Sequence, residues 1–295
     1  MLVPFKELLA DALNGGYAVG YFEAWDMYSL EAVLAAAEAE NAPVILGFGG
    51  AVCSQDWLED RTIERLGGLG LATARAAKVP VCFILNEVMQ FSMAARGVCS
   101  GFNAVMLDSG ELPYDEHLRL TRQLVETAHP VGVGVEAEVG RLPDAAGGES
   151  GRATEGQLTD PEQAARFVTA TGIDSLGVSI GNVHTLTEGK AEVDWDRMRA
   201  IHEAVDVPLV IHGSSGFPDD AVAKVISLGV AKFNIGVCLK QAFLDGLREA
   251  VGTAPPQASA HLLMGSRKPG DLLLAGQERM QQEVVRRIRL MRPKG

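Results

Sequence analysis

Short, β-branched apolar runs alternate with amphipathic stretches along the chain. The runs at Tyr17–Phe22, Pro43–Phe48, Val79–Leu85, Ala104–Leu107, Val131–Val139, Ser175–Ile180, Pro208–His212 and Lys232–Ile235 have strand length and strand composition. Between and after them, apolar residues recur at helical spacing near Ser29–Glu40, Trp57–Ala77, Ser92–Val98, Tyr114–His129, Pro161–Thr171, Trp195–Val205, Pro218–Leu228 and Leu239–Val251. Strands that are apolar on both faces, each followed by a helix, imply a parallel sheet covered on both sides. Eight such units suit closure into a (β/α)8 barrel. A doubly wound open sheet is the competing architecture, and the absence of Gly-x-Gly-x-x-Gly after the first strand weighs against it. The expected organisation is therefore one domain over residues 1–295, with the barrel ending near residue 252.

Two segments interrupt this rhythm. Gly140–Thr159 has five glycines and no apolar periodicity, and it is longer than an ordinary βα loop. It follows the fifth strand, on the face where barrels carry their chemistry, and reads as a lid over the mouth or as a plain insertion. Beyond residue 252, loop-rich Ala254–Pro269 leads to an amphipathic helix over Gln277–Met291, expected to pack on the barrel or on a neighbouring subunit.

Composition narrows the function. The 295 residues carry a formal net charge of −12, which disfavours nucleic acid and anionic lipid as partners. The N-terminus lacks the regions of a signal peptide, and the apolar runs are too short for a membrane span. Cys53, Cys82, Cys99 and Cys238 are scattered and form no disulfide framework, as expected for a cytoplasmic chain.

The polar residues at the strand ends carry the candidate chemistry. Asn86 and Glu87 end the third strand, Glu136 and Glu138 lie in the fifth, Gly181-Asn-Val-His184 follows the sixth, and His212-Gly-Ser-Ser-Gly216 follows the seventh. Asn234 and Gly236 end the eighth. Two imidazoles and neighbouring carboxylates converging on one barrel mouth make a divalent-metal arrangement. The amides of Gly213, Ser214 and Ser215, just before a helix expected to open at Pro218, together with the turn after the eighth strand, resemble the phosphate cup that barrels build there.

In order and spacing, the sequence resembles the class II fructose-bisphosphate and tagatose-bisphosphate aldolases from about Val3 to Arg289. The resemblance is carried by Tyr17-Ala-Val-Gly-Tyr-Phe22, Ala32–Asn41 with Ala-Pro-Val-Ile-Leu46, Gly101-Phe-Asn-Ala-Val-Met-Leu-Asp108 and Val135-Glu-Ala-Glu-Val-Gly-Arg-Leu142. It continues through Leu158-Thr-Asp-Pro161, Thr171-Gly-Ile-Asp-Ser-Leu176, Val207–Gly216 and Leu228-Gly-Val-Ala-Lys-Phe-Asn234. In that family a divalent metal, usually zinc, polarises the ketose carbonyl and stabilises an enediolate of dihydroxyacetone phosphate.

The resemblance implies that His184 and His212 are metal ligands and that Glu138 is the glutamate that approaches the metal. It implies that Gly213, Ser215 and Asn234 hold the phosphate-bearing half, with Gly181, Ser214 and Gly236 completing that subsite, and that Arg267 meets a second phosphate. A sugar phosphate or related ketose is the implied partner, and a homodimer or homotetramer the implied assembly.

The departures from the family pattern are specific. The family's proton-transferring aspartate and first metal histidine are Asn86 and Glu87 here. Its lid glutamate falls at Ala146, with Glu149 nearby as the substitute. Glu23, Gly49, Thr185 and Val237 replace an asparagine, a serine, a glycine and a threonine. Glu87 is still a ligand type, so Glu87, Glu138, His184 and His212 form the expected metal set, and its two carboxylates favour Mn2+ or Fe2+ over zinc. Alternatively, Glu87 acts as the base. The expected activity is a metal-dependent carbon–carbon lyase with poor fructose-bisphosphate cleavage; the alternative is an impaired homologue that binds a sugar phosphate or a partner subunit.

Overall fold

The computed structural model describes residues 1–51, 53–108, 112–143, 156–184 and 191–292. Eight parallel strands close on themselves: β1 Val19–Ala24, β2 Val44–Gly49, β3 Val81–Val88, β4 Ala104–Leu107, β5 Gly134–Val139, β6 Ser175–Val178, β7 Leu209–Ile211 and β8 Val230–Ile235, with β8 pairing back onto β1. All eight expected strands are present, and closure excludes the open-sheet alternative. The second, fourth and seventh lie within one residue of their predicted bounds. The fifth starts later than Val131, because His129–Val131 forms a 3-10 turn and Gly132 follows at φ +76°.

A helix ahead of the first strand, Phe5–Gly15, which is not among the expected elements, seals one end of the barrel. Its Phe5, Leu8, Leu9 and Ala12, at helical spacing, pack on Val19, Tyr21, Ile45, Cys82 and Ile84 inside the strands. The neighbouring Val3 bonds to Val81 and Asn103 at strand starts, so the plug sits at the N-terminal end and leaves the C-terminal mouth open. Each large apolar side chain buried in this way stabilises the fold by roughly 1.5–3 kcal/mol.

The outer helices pack on the other face of the sheet. The predicted helix Trp57–Ala77 is broken: Asp60 and Arg61 leave helical geometry, and the regular part is Ile63–Ala76. There a Cβ at Gly70 would lie 2.0 Å from the Phe83 ring, so glycine lets the helix settle against β3. Within the helix expected over Pro218–Leu228, Asp219–Ala221 is a 3-10 turn, following another at Ser214–Gly216, and only Val222–Ile226 is α-helical. The C-terminal helix runs over Leu272–Met291, starting before Gln277. It buries Met280, Val284, Ile288 and Met291 against the helices Val237–Thr253 and Met27–Ala39 and against β1. Of its two expected docking places, the barrel is the one seen. Among the described residues no helix is long and apolar enough to cross a membrane.

His117, on the helix Tyr114–Ala128, is buried against the Phe167 ring, and its Nε2 has no hydrogen-bond partner. Burial lowers its pKa to about 4. Because the unfolded chain takes up this proton at higher pH, stability contributed by neutral His117 is fully present above about pH 6.5 and is lost as pH falls towards about 4. His117→Phe is expected to flatten that segment of the stability profile by roughly 3 kcal/mol, read by urea denaturation at several pH values. An unchanged slope would contradict it.

Candidate active site

The mouth is built from strand ends, and its unusual feature is how much charge lies inside the sheet. Glu136 on β5 and Lys232 on β8 are both fully buried, with Lys232 Nζ donating to Glu136 Oε1 at 2.7 Å. Ser175 Oγ donates to the other Glu136 oxygen at 3.0 Å. A buried ion pair survives only when its remaining atoms are also hydrogen-bonded, and here they are. Lys232 Nζ also reaches Asn234 Oδ1 at 2.5 Å, which orients that amide towards the mouth.

Glu136 Oε1 lies 3.0 Å from His212 Nε2. An ionised carboxylate only accepts, so the proton on this side of the ring sits on Nε2 and Nδ1 faces the opposite way. Burial pushes the Glu136 carboxyl up, yet Lys232 and His212 outweigh it and hold its pKa below the usual range. Asn182, also buried, holds the histidine's backbone by donating to the His212 carbonyl at 2.9 Å. His212 is thus fixed at ring and main chain.

Nδ1 of His212 points at acceptors. Glu87 Oε1 lies 3.0 Å away and Glu138 Oε2 3.1 Å. Both are near in distance but off a hydrogen-bonding direction, so Nδ1 and Glu138 Oε2 are buried without a partner. Glu87 reaches this point through a bulge at the end of β3 and a left-handed backbone, φ +52°, a conformation that costs a non-glycine residue of order 1–3 kcal/mol. Its Oε2 accepts from Asn86 Nδ2 at 2.7 Å. Burial raises the Glu87 carboxyl, but His212 and, more weakly, His184 and Lys232 overcome that and bring it to about 2. For His212, burial disfavours the charge, while Glu138, Glu136 and Glu87 together raise its pKa well above the ordinary value.

His184 completes the group, its ring centroid 6.3 Å from that of His212. Ligand-type atoms of Glu87, His184 and His212 all lie within 4.8 Å of one another. Bonds of roughly 2.0–2.2 Å to one ion place ligand atoms about 3–4 Å apart, so a small side-chain adjustment closes this set. A carboxylate oxygen and an imidazole nitrogen without hydrogen-bond partners, with the imidazole held by a carboxylate behind it, suit a divalent cation. The residues fit such an ion.

Of the other expected site residues, Gly213, Ser214, Ser215, Asn234 and Gly236 line the same cleft. Gly213 takes φ +62°, and a Cβ there would meet the Val183 carbonyl at 2.5 Å. Ser214 Oγ bonds to the Asn234 carbonyl, and Ser215 Oγ accepts from the Cys238 amide, tying the turn after β7 to the end of β8 and the start of the helix Val237–Thr253. Arg287 of the C-terminal helix braces the turn from behind by donating to the Ser214 carbonyl at 3.4 Å.

Two expected residues are elsewhere. Gly181 lies tight against the Glu192 carbonyl, outside the cleft lining. Arg267 stacks on the Tyr28 ring and pairs with Glu31 and Gln277, also away from the lining. Glu149, Ala146 and Thr185 lie outside the described residues. Sequence reasoning did not assign roles to Glu136, Lys232, Asn182 or Lys240. The available signal was a charged residue in the middle of an otherwise apolar strand, two positions before a polar strand end.

A closed parallel barrel with a possible Glu87–His184–His212 metal group at its mouth suits an aldolase-type enzyme, and the relatives agree. Residues 3–295 match the family model described as fructose-bisphosphate aldolase class-II. The chain is 35% identical over 263 residues to a fructose-bisphosphate aldolase of Geobacillus stearothermophilus, covering 86% of this chain and 87% of that protein. It is 34% identical over 254 residues to a 6-phospho-5-dehydro-2-deoxy-D-gluconate aldolase of Shouchella clausii, covering 83% and 82%. The crystal structure of the YdjI aldolase from Escherichia coli K12 superposes with a TM-score of 0.81 at 30% identity, over 99% of this chain and 97% of that one. The chain belongs to the class II fructose-bisphosphate aldolase family and is a lyase by that membership.

Proposed function

We propose that the chain is a divalent-metal-dependent carbon–carbon lyase that cleaves a ketose phosphate other than fructose bisphosphate. The observation that supports it most is the orphaned His212 Nδ1, backed by Glu136 and faced by Glu87 and Glu138. Glu87, His184 and His212 would hold the ion, with Glu138 Oε2 close enough to join them. The ion, when bound, supplies Lewis-acid polarisation of a carbonyl. With two carboxylates in reach, Mn2+ or Fe2+ is favoured over Zn2+.

The chain's own groups do the rest. Amides of Gly213 and Ser215 receive the phosphate, and Asn234 Nδ2, buried and unpartnered, is placed to donate to a substrate oxygen. In a retro-aldol cleavage the hydroxyl next to the breaking bond loses its proton and becomes the aldehyde, while the bonding electron pair stays on the other carbon until that carbon is protonated. Asn86 can hydrogen-bond the hydroxyl through its unpartnered Oδ1 but cannot take the proton. The resemblance leaves Glu149, the substitute for the lid glutamate, as the group we assign to accept this proton and return it to the carbon. The loss of a positioned acid–base group typically costs about 10²–10⁴ in rate.

Fructose bisphosphate cleavage by protein reconstituted with Mn2+ is accordingly expected to be about 10²-fold or more below that of an ordinary family member, read by coupled detection of triose phosphate. Brisk cleavage would contradict the proposal. A purely binding homologue is the second reading, and the loss of the family's titrating aspartate at Asn86 favours it; absence of turnover with every ketose phosphate tried would establish it.

A further inference from the structure

The wall of the mouth formed by β8, β1 and β2 carries a second charged feature, outside the candidate metal group. Glu23 ends β1 with its side chain largely buried, and Lys240 Nζ donates to its Oε1 at 2.7 Å. The carboxylate fills space that side chains on both neighbouring strands would need. A Cβ at Gly49 would lie 2.8 Å from Glu23 Oε1, and a Cβ at Gly236 would lie 2.3 Å from Oε2. A side chain at position 49 or 236 would therefore have to displace the Glu23 carboxylate from where it now lies. Burial raises the Glu23 carboxyl, Lys240 opposes that, and Glu87 across the mouth adds to the rise.

The same wall holds two buried polar atoms without partners, Tyr21 Oη and Asn234 Nδ2. Both line the cleft together with Glu23. An unsatisfied hydroxyl and amide beside a carboxylate whose Oε2 makes no hydrogen bond among the described residues form a set that suits a polar occupant. The charge of that occupant follows from the lining. Among the described residues the cleft wall has Glu23 and Glu87 but neither lysine nor arginine, and Lys240, the cation at its edge, is committed to Glu23. An ionised carboxylate accepts hydrogen bonds from hydroxyls and repels a phosphate.

We infer that Glu23, pinned by Lys240, is a specificity-determining residue that restricts the substrate to one phosphate, seated on the Gly213–Ser215 turn, and makes the β1–β2 side accept an uncharged polyhydroxy end. This rests on the proposed ketose phosphate lyase and names its substrate class: a ketose monophosphate whose aldehyde product is neutral.

Binding, rather than turnover, tests it. D-fructose 1-phosphate and D-fructose 1,6-bisphosphate are titrated calorimetrically into the Mn2+-supplemented protein and into Glu23→Gln, with Glu23→Asn as a second variant should the first fold poorly. The wild-type chain is expected to prefer the monophosphate by about tenfold or more, and removal of the carboxylate charge to narrow that preference by about fivefold or more. Equal affinities in the wild type, a preference for the bisphosphate, a ratio untouched by both variants, or failure of both sugars to bind would overturn the inference. Discriminating binding without cleavage of either sugar would leave it standing and count instead against the lyase.

Discussion

Glu136→Ala is expected to destabilise the protein by about 3–5 kcal/mol, because it leaves Lys232 charged, fully buried and without its counter-ion. The same change removes the acceptor that fixes His212 Nε2, so divalent-ion affinity is expected to fall by about 10–100-fold. Glu136→Gln separates the two effects. It keeps an oxygen for Lys232 but loses the charge, and should cost less stability than alanine while still weakening ion binding. Urea denaturation reads the first quantity and Mn2+ titration the second. A Glu136→Ala protein of wild-type stability would show that the buried pair contributes far less than its geometry implies.

The second large effect is expected at Glu87. Glu87→His converts a carboxylate at the centre of the group into a third imidazole, which should raise zinc affinity relative to Mn2+ by about tenfold or more, whereas Glu87→Ala should abolish tight binding of either. Combined with Asn86→Asp, which restores a titrating group beside it, Glu87→His is expected to raise fructose bisphosphate cleavage by about tenfold or more. The left-handed backbone at residue 87 is a strain that either replacement inherits, so loss of protein stability is not expected from the histidine itself. Unchanged metal preference in both single variants would assign Glu87 to proton transfer or structure.

The alternation of apolar strands and amphipathic helices was enough to read the barrel, because strands covered on both faces leave little choice of architecture. It failed at the N-terminal plug, although Phe5, Leu8, Leu9 and Ala12 carry a helical period, because no strand precedes that helix to frame it as part of a βα unit. It also failed at Pro218, where proline after a glycine–serine turn suggested an α-helix and the chain forms 3-10 turns. At the site, His184, His212 and Glu87 were legible as ligand types at strand ends. The buried support was not: Glu136 and Lys232 look like isolated charges until barrel closure brings β5 and β8 to face each other across the interior. Arg267 shows the converse. Its sequence context pointed to a phosphate, and its side chain instead covers Tyr28 and meets Glu31.

The central claim is that one divalent ion sits between Glu87, His184 and His212. Elemental mass spectrometry of the purified protein after reconstitution with Mn2+, Fe2+ or Zn2+ and removal of free ion tests it directly. The account predicts close to one ion per chain in the wild type and near-complete loss in His184→Ala and His212→Ala, with circular dichroism unchanged. A wild-type chain that retains no ion, or variants that retain as much as the wild type, would contradict it.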